Sequence, residues 1–314
     1  MSASPETDTL YLHRVYAAPV AAVWDAWTDP AQVAKWWGPR GFTLTHHDKD
    51  LRVGGHWRYT MHGPDGTDYP NVTRYHEVVP RSRLVYDHGG TDDTPPLFQV
   101  TVTFTEVDGG TRLDFQMRFA SPQAAREASA FIRRAGGEST WDRLAEYLDD
   151  ARGQRRFYIN RSFDVAIERM YDLWTKPEHL AAWLAPGGAS MEFHRADIRP
   201  GGSSFYGMRG PHGAMYGRAD YRELDRPDRI VYTQQFCDEQ EQLTRHPLSA
   251  TWPTTMLTIV RFAAEGPNRT RVTVQWEPWE PTDEEVQTFV NARAGMSVGW
   301  TGSFDQLEAR IAVG

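Results

Sequence analysis

The chain has 314 residues, 40% hydrophobic and 24% charged, with 12 Trp, 13 Tyr and 14 Phe; this excludes disordered, collagen-like and coiled-coil classes, and the length suits two ordinary domains. The formal charge is −8, with 16 basic against 21 acidic residues through residue 154, so the clustered Lys and Arg that hold polyanions are missing and no nucleic acid partner is expected. A single cysteine, Cys237, excludes an internal disulfide and a multi-thiolate metal site, and together with the absence of a basic leader in MSASPETDTL or an ~18-residue apolar run it predicts a cytoplasmic chain without membrane insertion.

In chain order, Leu10 to Tyr16 reads as a strand, and Pro19 opens an Ala-rich amphipathic helix ending near Trp27. Asp29 and Pro30 then predict a capped short helix, the carboxylate taking free N–H groups and the proline supplying the first-turn φ. Period-two runs follow at Phe42–His47, Trp57-Tyr59-Met61, Val72–Val79, Leu84–His88, Phe98–Phe104 and Leu113–Phe119, punctuated by turns such as GPDG and VDGG. Ser121-Pro122 opens a helical region in which Trp141, Leu144, Ala145 and Leu148 share one face.

A shift of 147 residues brings LHRVYAAPVAAVWDAWTDPAQVAKWWGP, from Leu12, onto INRSFDVAIERMYDLWTKPEHLAAWLAP, from Ile159. Gly54-Gly55 meets Gly201-Gly202, Tyr59 meets Tyr206, and after a one-residue slip RLVY at 83–86 meets RIVY at 229–232. A repeat of about 150 residues is a whole domain and not a solenoid unit. The expected boundaries are 8–150 and 157–314, joined by the polar ARGQRR, and the second copy closes alike, with a Thr282/Glu285 capping box and an apolar stripe of Phe304, Leu307 and Ile311.

The segments VWDAWTDPAQVAKWWGP, GGHWRYTM, EVVPRSRLVY and WDRLAEYL resemble the Hsp-90 ATPase activator homologue family, within the START and polyketide-cyclase-like (SRPBCC) helix-grip superfamily. The resemblance implies an α+β fold of two tandem helix-grip domains. Each would be a curved antiparallel sheet of about six to seven strands around a long C-terminal helix, with two short helices after strand one. It also implies a cavity for a hydrophobic ligand between sheet and helix. Ser204 stands where the first copy has Trp57, and Leu184 where it has Trp37; with Trp57, Tyr59 and Met61 pointing inward, the second pocket is expected to be the roomier.

Inward aromatics supply the expected ligand contacts, because Tyr and Trp carry a polar group as well as apolar surface. They are Trp37, Trp57, Tyr59, Tyr86 and Trp141 in the first copy, and Trp183, Ser204, Tyr206, Tyr232, Trp276 and Trp300 in the second. Glu77 and Glu223 recur at equivalent strand positions and are weak candidates for general acid or base work, since a carboxylate beside an apolar cavity has a raised pKa; pairing with Arg explains them equally well. Gly295-Met296-Ser297-Val298-Gly299 matches the nucleophile-elbow pattern but falls in a helical region with no histidine after His246, so packing of small residues is the preferred reading. His46, His47, Asp48 and Asp50 alternate across a strand and are not taken as a metal site. No metal or cofactor is expected. The leading expectation is a binder of an aromatic, polyketide-like or lipid-like molecule; a cyclase or aromatase-type enzyme is the alternative, and a protein acting on a chaperone ATPase a third.

Overall fold

The computed structural model describes residues 7–313 apart from 135, 137, 186 and 212. The chain divides into two compact units between Gln154 and Arg155. The first comprises strand β1 (Thr9–Tyr16), helices α1 (Val20–Thr28) and α2 (Pro30–Val33), strands β2 (Thr43–Lys49), β3 (His56–His62), β4 (Asp68–Val79), β5 (Arg83–His88), β6 (Phe98–Val107) and β7 (Gly110–Arg118), and helices α3 (Pro122–Arg134) and α4 (Ser139–Asp150). Its seven strands form one antiparallel sheet in the order β1-β7-β6-β5-β4-β3-β2.

The second unit repeats the plan. Strand β8 (Phe157–Phe163), helices α5 (Ile167–Thr175) and α6 (Pro177–Leu180), strands β9 (Ser190–Ala196), β10 (Ser203–Gly210), β11 (Gly213–Asp225), β12 (Arg229–Cys237), β13 (Met256–Gly266) and β14 (Arg269–Pro278), and helices α7 (Asp283–Asn291) and α8 (Arg293–Ala312) follow in turn. The sheet order is β8-β14-β13-β12-β11-β10-β9. The α+β tandem arrangement is therefore as expected, with seven strands per copy.

Local chemistry accounts for the repeated features. Gly54 and Gly201 both have φ of +77°, and a Cβ on Gly55 or Gly202 would lie 2.1 or 2.2 Å from the carbonyl oxygen of Asp50 or Asp197, so each Gly-Gly pair lets the chain fold tightly back before β3 and β10. Asp29 accepts from the N–H groups of Ala31 and Gln32 at 2.8 and 3.0 Å, capping α2. The buried indoles of Trp36 and Trp183 donate to the carbonyls of Ala26 and Leu173, each at 2.9 Å, fastening α1 and α5 to the turns that follow α2 and α6.

The C-terminal helical region of each copy is divided in two, α3 and α4 in the first unit and α7 and the 20-residue α8 in the second. Gly136, at φ +66°, lies between α3 and α4. In the second unit the break falls at Ala292, whose φ and ψ of −85° and −5° let its N–H reach the carbonyls of Phe289 and Thr288. The Thr282/Glu285 capping box is present at the start of α7.

Candidate functional site

In the first unit the space between sheet and helices is taken by rings. Trp57 stacks on Tyr59 with centroids 4.0 Å apart, Trp37 meets Trp57 at 5.8 Å, and Trp27 stacks on Trp141 at 5.8 Å. His88 stacks on its cross-strand partner Phe98 at 4.8 Å, and burial pushes the imidazole pKa down to about 4. Trp37, Trp57, Tyr59, Tyr86 and Trp141 are all buried, and none of them lines either of the two cavities described below.

The second unit differs at equivalent positions. Strand register aligns the pair His88 and Phe98 with Gln234 and Met256, so two stacked rings become two slender, flexible side chains. Helix α8 turns Gly295, Gly299 and Ser303, spaced four apart and hence on one face, toward the same region. A Cβ on Gly295 or Gly299 would meet no atom within 4 Å. Together these replacements leave a cavity of about 1060 Å³ between β10–β14 and α7–α8. Its lining includes Tyr206, Tyr232, Trp276 and Trp300 among the expected contacts, with Met208, Met215, Phe236, Trp252, Met256 and Met296 besides.

Part of this wall comes from the connection between β12 and β13. Arg83 pairs with Thr103 in the first sheet and Arg229 with Arg261 in the second, separations of 20 and 32 residues, so the second copy carries twelve more residues here. The added length brings His246, Leu248 and Trp252 to the cavity. It is held on α7: Arg245 pairs with Glu285, whose capping bonds also hold its carboxyl below the usual range, and Thr288 donates to Thr251 at 2.8 Å. Ser303 donates to the carbonyl of Leu184 at 2.7 Å, fixing α8 against the chain after α6.

Several expected site residues stand elsewhere. Ser204 is fully buried, hydrogen-bonds the Tyr221 hydroxyl at 3.0 Å and lines only a separate void of about 20 Å³. The loss of Trp57's bulk is thus largely absorbed locally, and the large cavity owes its room to Gln234, Met256 and the glycine face of α8. Trp183 is fully buried, bonded to Leu173 and packed on Trp174 at 4.7 Å, and lines neither cavity. Glu77 and Glu223 sit half-exposed in ion pairs with Arg83 (3.2 Å) and Arg229 (2.9 Å), outside both lining sets, in line with the arginine-pairing alternative. Ser297 lies inside α8 and not on a strand-to-helix turn, so the elbow pattern has no elbow. Asp48 pairs with His56 and Arg58, and among the described residues no cluster of three or more His, Cys, Asp or Glu could hold a metal.

Sequence reasoning missed the loop residues Leu248 and Trp252 and the sulfur-bearing wall of Met208, Met215, Met256 and Met296. The twelve-residue length difference and the four-residue spacing of Gly295, Gly299 and Ser303 were the signals for it.

Two seven-stranded sheets, each packed by helices and one of them bordering a large, partly open apolar cavity, define a tandem helix-grip protein. The Activator of Hsp90 ATPase homolog 1-like protein family matches over residues 17–149 and again over 164–312. The chain belongs to this family, in two copies. Similar solved structures each correspond to about half of it. A crystallised protein from Mycobacterium smegmatis shares 22% identity, covering 50% of this chain and 90% of its own, with a TM-score of 0.43. One from Chromobacterium violaceum shares 28%, covering 45% and 97%, at 0.40, and one from Silicibacter pomeroyi shares 16%, covering 50% and 98%, at 0.39. No curated protein matches the chain significantly. Among the described residues no helix is long and apolar enough to cross a membrane.

Proposed function

We propose that the second unit binds a hydrophobic small molecule in the cavity between its sheet and α7–α8, while the first unit is a filled copy of the same fold. The observation that carries this reading is the cavity itself. Its volume of about 1060 Å³ suits a drug-sized or larger ligand, and its wall is aromatic, aliphatic and methionine-rich with a few amide and hydroxyl groups. Leu248 and Val298 at its edge are about three-quarters exposed, leaving an apolar rim. Desolvation of the ligand would supply most of the affinity.

A binding role is favoured over a cyclase-type reaction because, among the described lining residues, His246 is the only side chain with an ordinary pKa near neutrality, and none is Asp, Glu, Lys or Arg. Burial lowers the His246 pKa and keeps it neutral. The test is native mass spectrometry of the freshly purified chain, together with thermal shifts in a panel of apolar ligands, each repeated on Gly299→Phe. A retained mass or raised melting temperature that disappears in Gly299→Phe is expected. A panel that never raises the melting temperature, with no retained mass, overturns the reading.

A further inference from the structure

The polar end of the cavity is a directional hydrogen-bond chain. The buried Thr258 hydroxyl donates to Gln234 Oε1 at 2.7 Å, and Gln234 Nε2 reaches the Tyr206 hydroxyl oxygen at 3.4 Å. With Oε1 turned to the Thr258 hydroxyl, the amide turns Nε2, a donor only, to the tyrosine. The Tyr206 oxygen therefore accepts, and its own O–H is left to donate elsewhere. Tyr206 and Gln234 line both the large cavity and the small void that adjoins Ser204.

The ring's position is set by a glycine. Gly217 faces Tyr206 across β10 and β11, and a Cβ there would lie 2.6 Å from both Cζ and Oη of the phenol. Only a glycine lets the ring lie over its neighbour. In the first unit the equivalent tyrosine, Tyr59, faces Asn71 and stacks on Trp57 instead. Burial raises the Tyr206 pKa, so the phenol keeps its proton throughout the working range.

Resting on the binding role proposed above, we infer that Tyr206 is the specificity-determining donor of this site and that its ligand is a neutral, ring-bearing molecule with a ketone- or quinone-type carbonyl oxygen. The carbonyl takes the Tyr206 O–H, and the ring system lies among Trp276, Trp300 and the methionines. A carboxylate ligand is disfavoured because none of the described lining residues is a cation that would offset its desolvation. A plain hydrocarbon would leave the hydroxyl without an acceptor.

The experiment measures Kd for 2-acetylnaphthalene and for its hydrocarbon analogue 2-isopropylnaphthalene, on the full chain and on Tyr206→Phe. The preference for the ketone, taken as the ratio of the two constants, should fall roughly 5- to 10-fold in Tyr206→Phe, the effect of one net hydrogen bond, with hydrocarbon affinity little changed. Gln234→Leu, which removes the amide that orients the phenol, should lower the ratio by a smaller factor. An equal change for both probes, or an unchanged ratio, overturns the inference while leaving the binding role intact. If neither probe nor any other apolar ligand binds, both fall together.

Discussion

Replacing Gly295 and Gly299 by alanine separates an open cavity from close helix packing by the sign of the stability change. Glycine in a helix interior is less favourable than alanine by about 1 kcal/mol. At both positions a Cβ would have no neighbour within 4 Å, so no steric cost offsets this gain. The double variant is therefore expected to stabilise the second unit by about 2 kcal/mol. Native-state hydrogen exchange at the slowest β13 amides reads this unit separately from the first. If α8 were instead packed tightly through its small residues, added methyl groups would overpack it and cost about 1–3 kcal/mol. A measured destabilisation would refute the open cavity, and with it the basis of the binding role.

Three further outcomes follow from the geometry. Burial holds His88 neutral with a pKa of about 4; the unfolded chain takes up the proton first as pH falls below ~6.5, so this contribution to the first unit is present at pH 7 and is lost progressively toward pH 4. Exchange at β5 and β6 amides should report a His88-dependent loss of about 2 kcal/mol between pH 7 and pH 5, absent in His88→Gln; an equal loss in the variant would contradict it. Glu77→Gln and Glu223→Gln break half-exposed ion pairs and should shift stability by less than about 1 kcal/mol without changing ligand affinity in titrations; a lost affinity would return them to the site. Ser204→Trp must fit an indole beside a void of only about 20 Å³ and should destabilise the second unit by about 1–3 kcal/mol or more in chemical denaturation, whereas Met256→Phe, a near volume-conserving change at the wall of the large cavity, should cost less stability.

The duplication, the strand alternation, the Gly-Gly turns and the caps at Asp29 and Thr282 were legible because each depends on neighbours in sequence. A period of two, a positive φ or a side chain reaching three residues along the chain is a local property. The recurrence of these signals at an offset of 147 residues then indicated two copies of one α+β domain before any contact was known. Which copy holds a cavity was decided by partners distant in sequence. His88 stacks on Phe98 while Gln234 faces Met256, and Gly295 and Gly299 look into open space although their spacing equally suits close helix packing. The aromatic residues alone could not separate the two outcomes: Tyr59 and Tyr206 occupy equivalent strand positions, yet one is sealed beneath Trp57 and the other leans over Gly217. Volume depends on what stands opposite each side chain, and only the pairing of strands and the seating of α8 determine that.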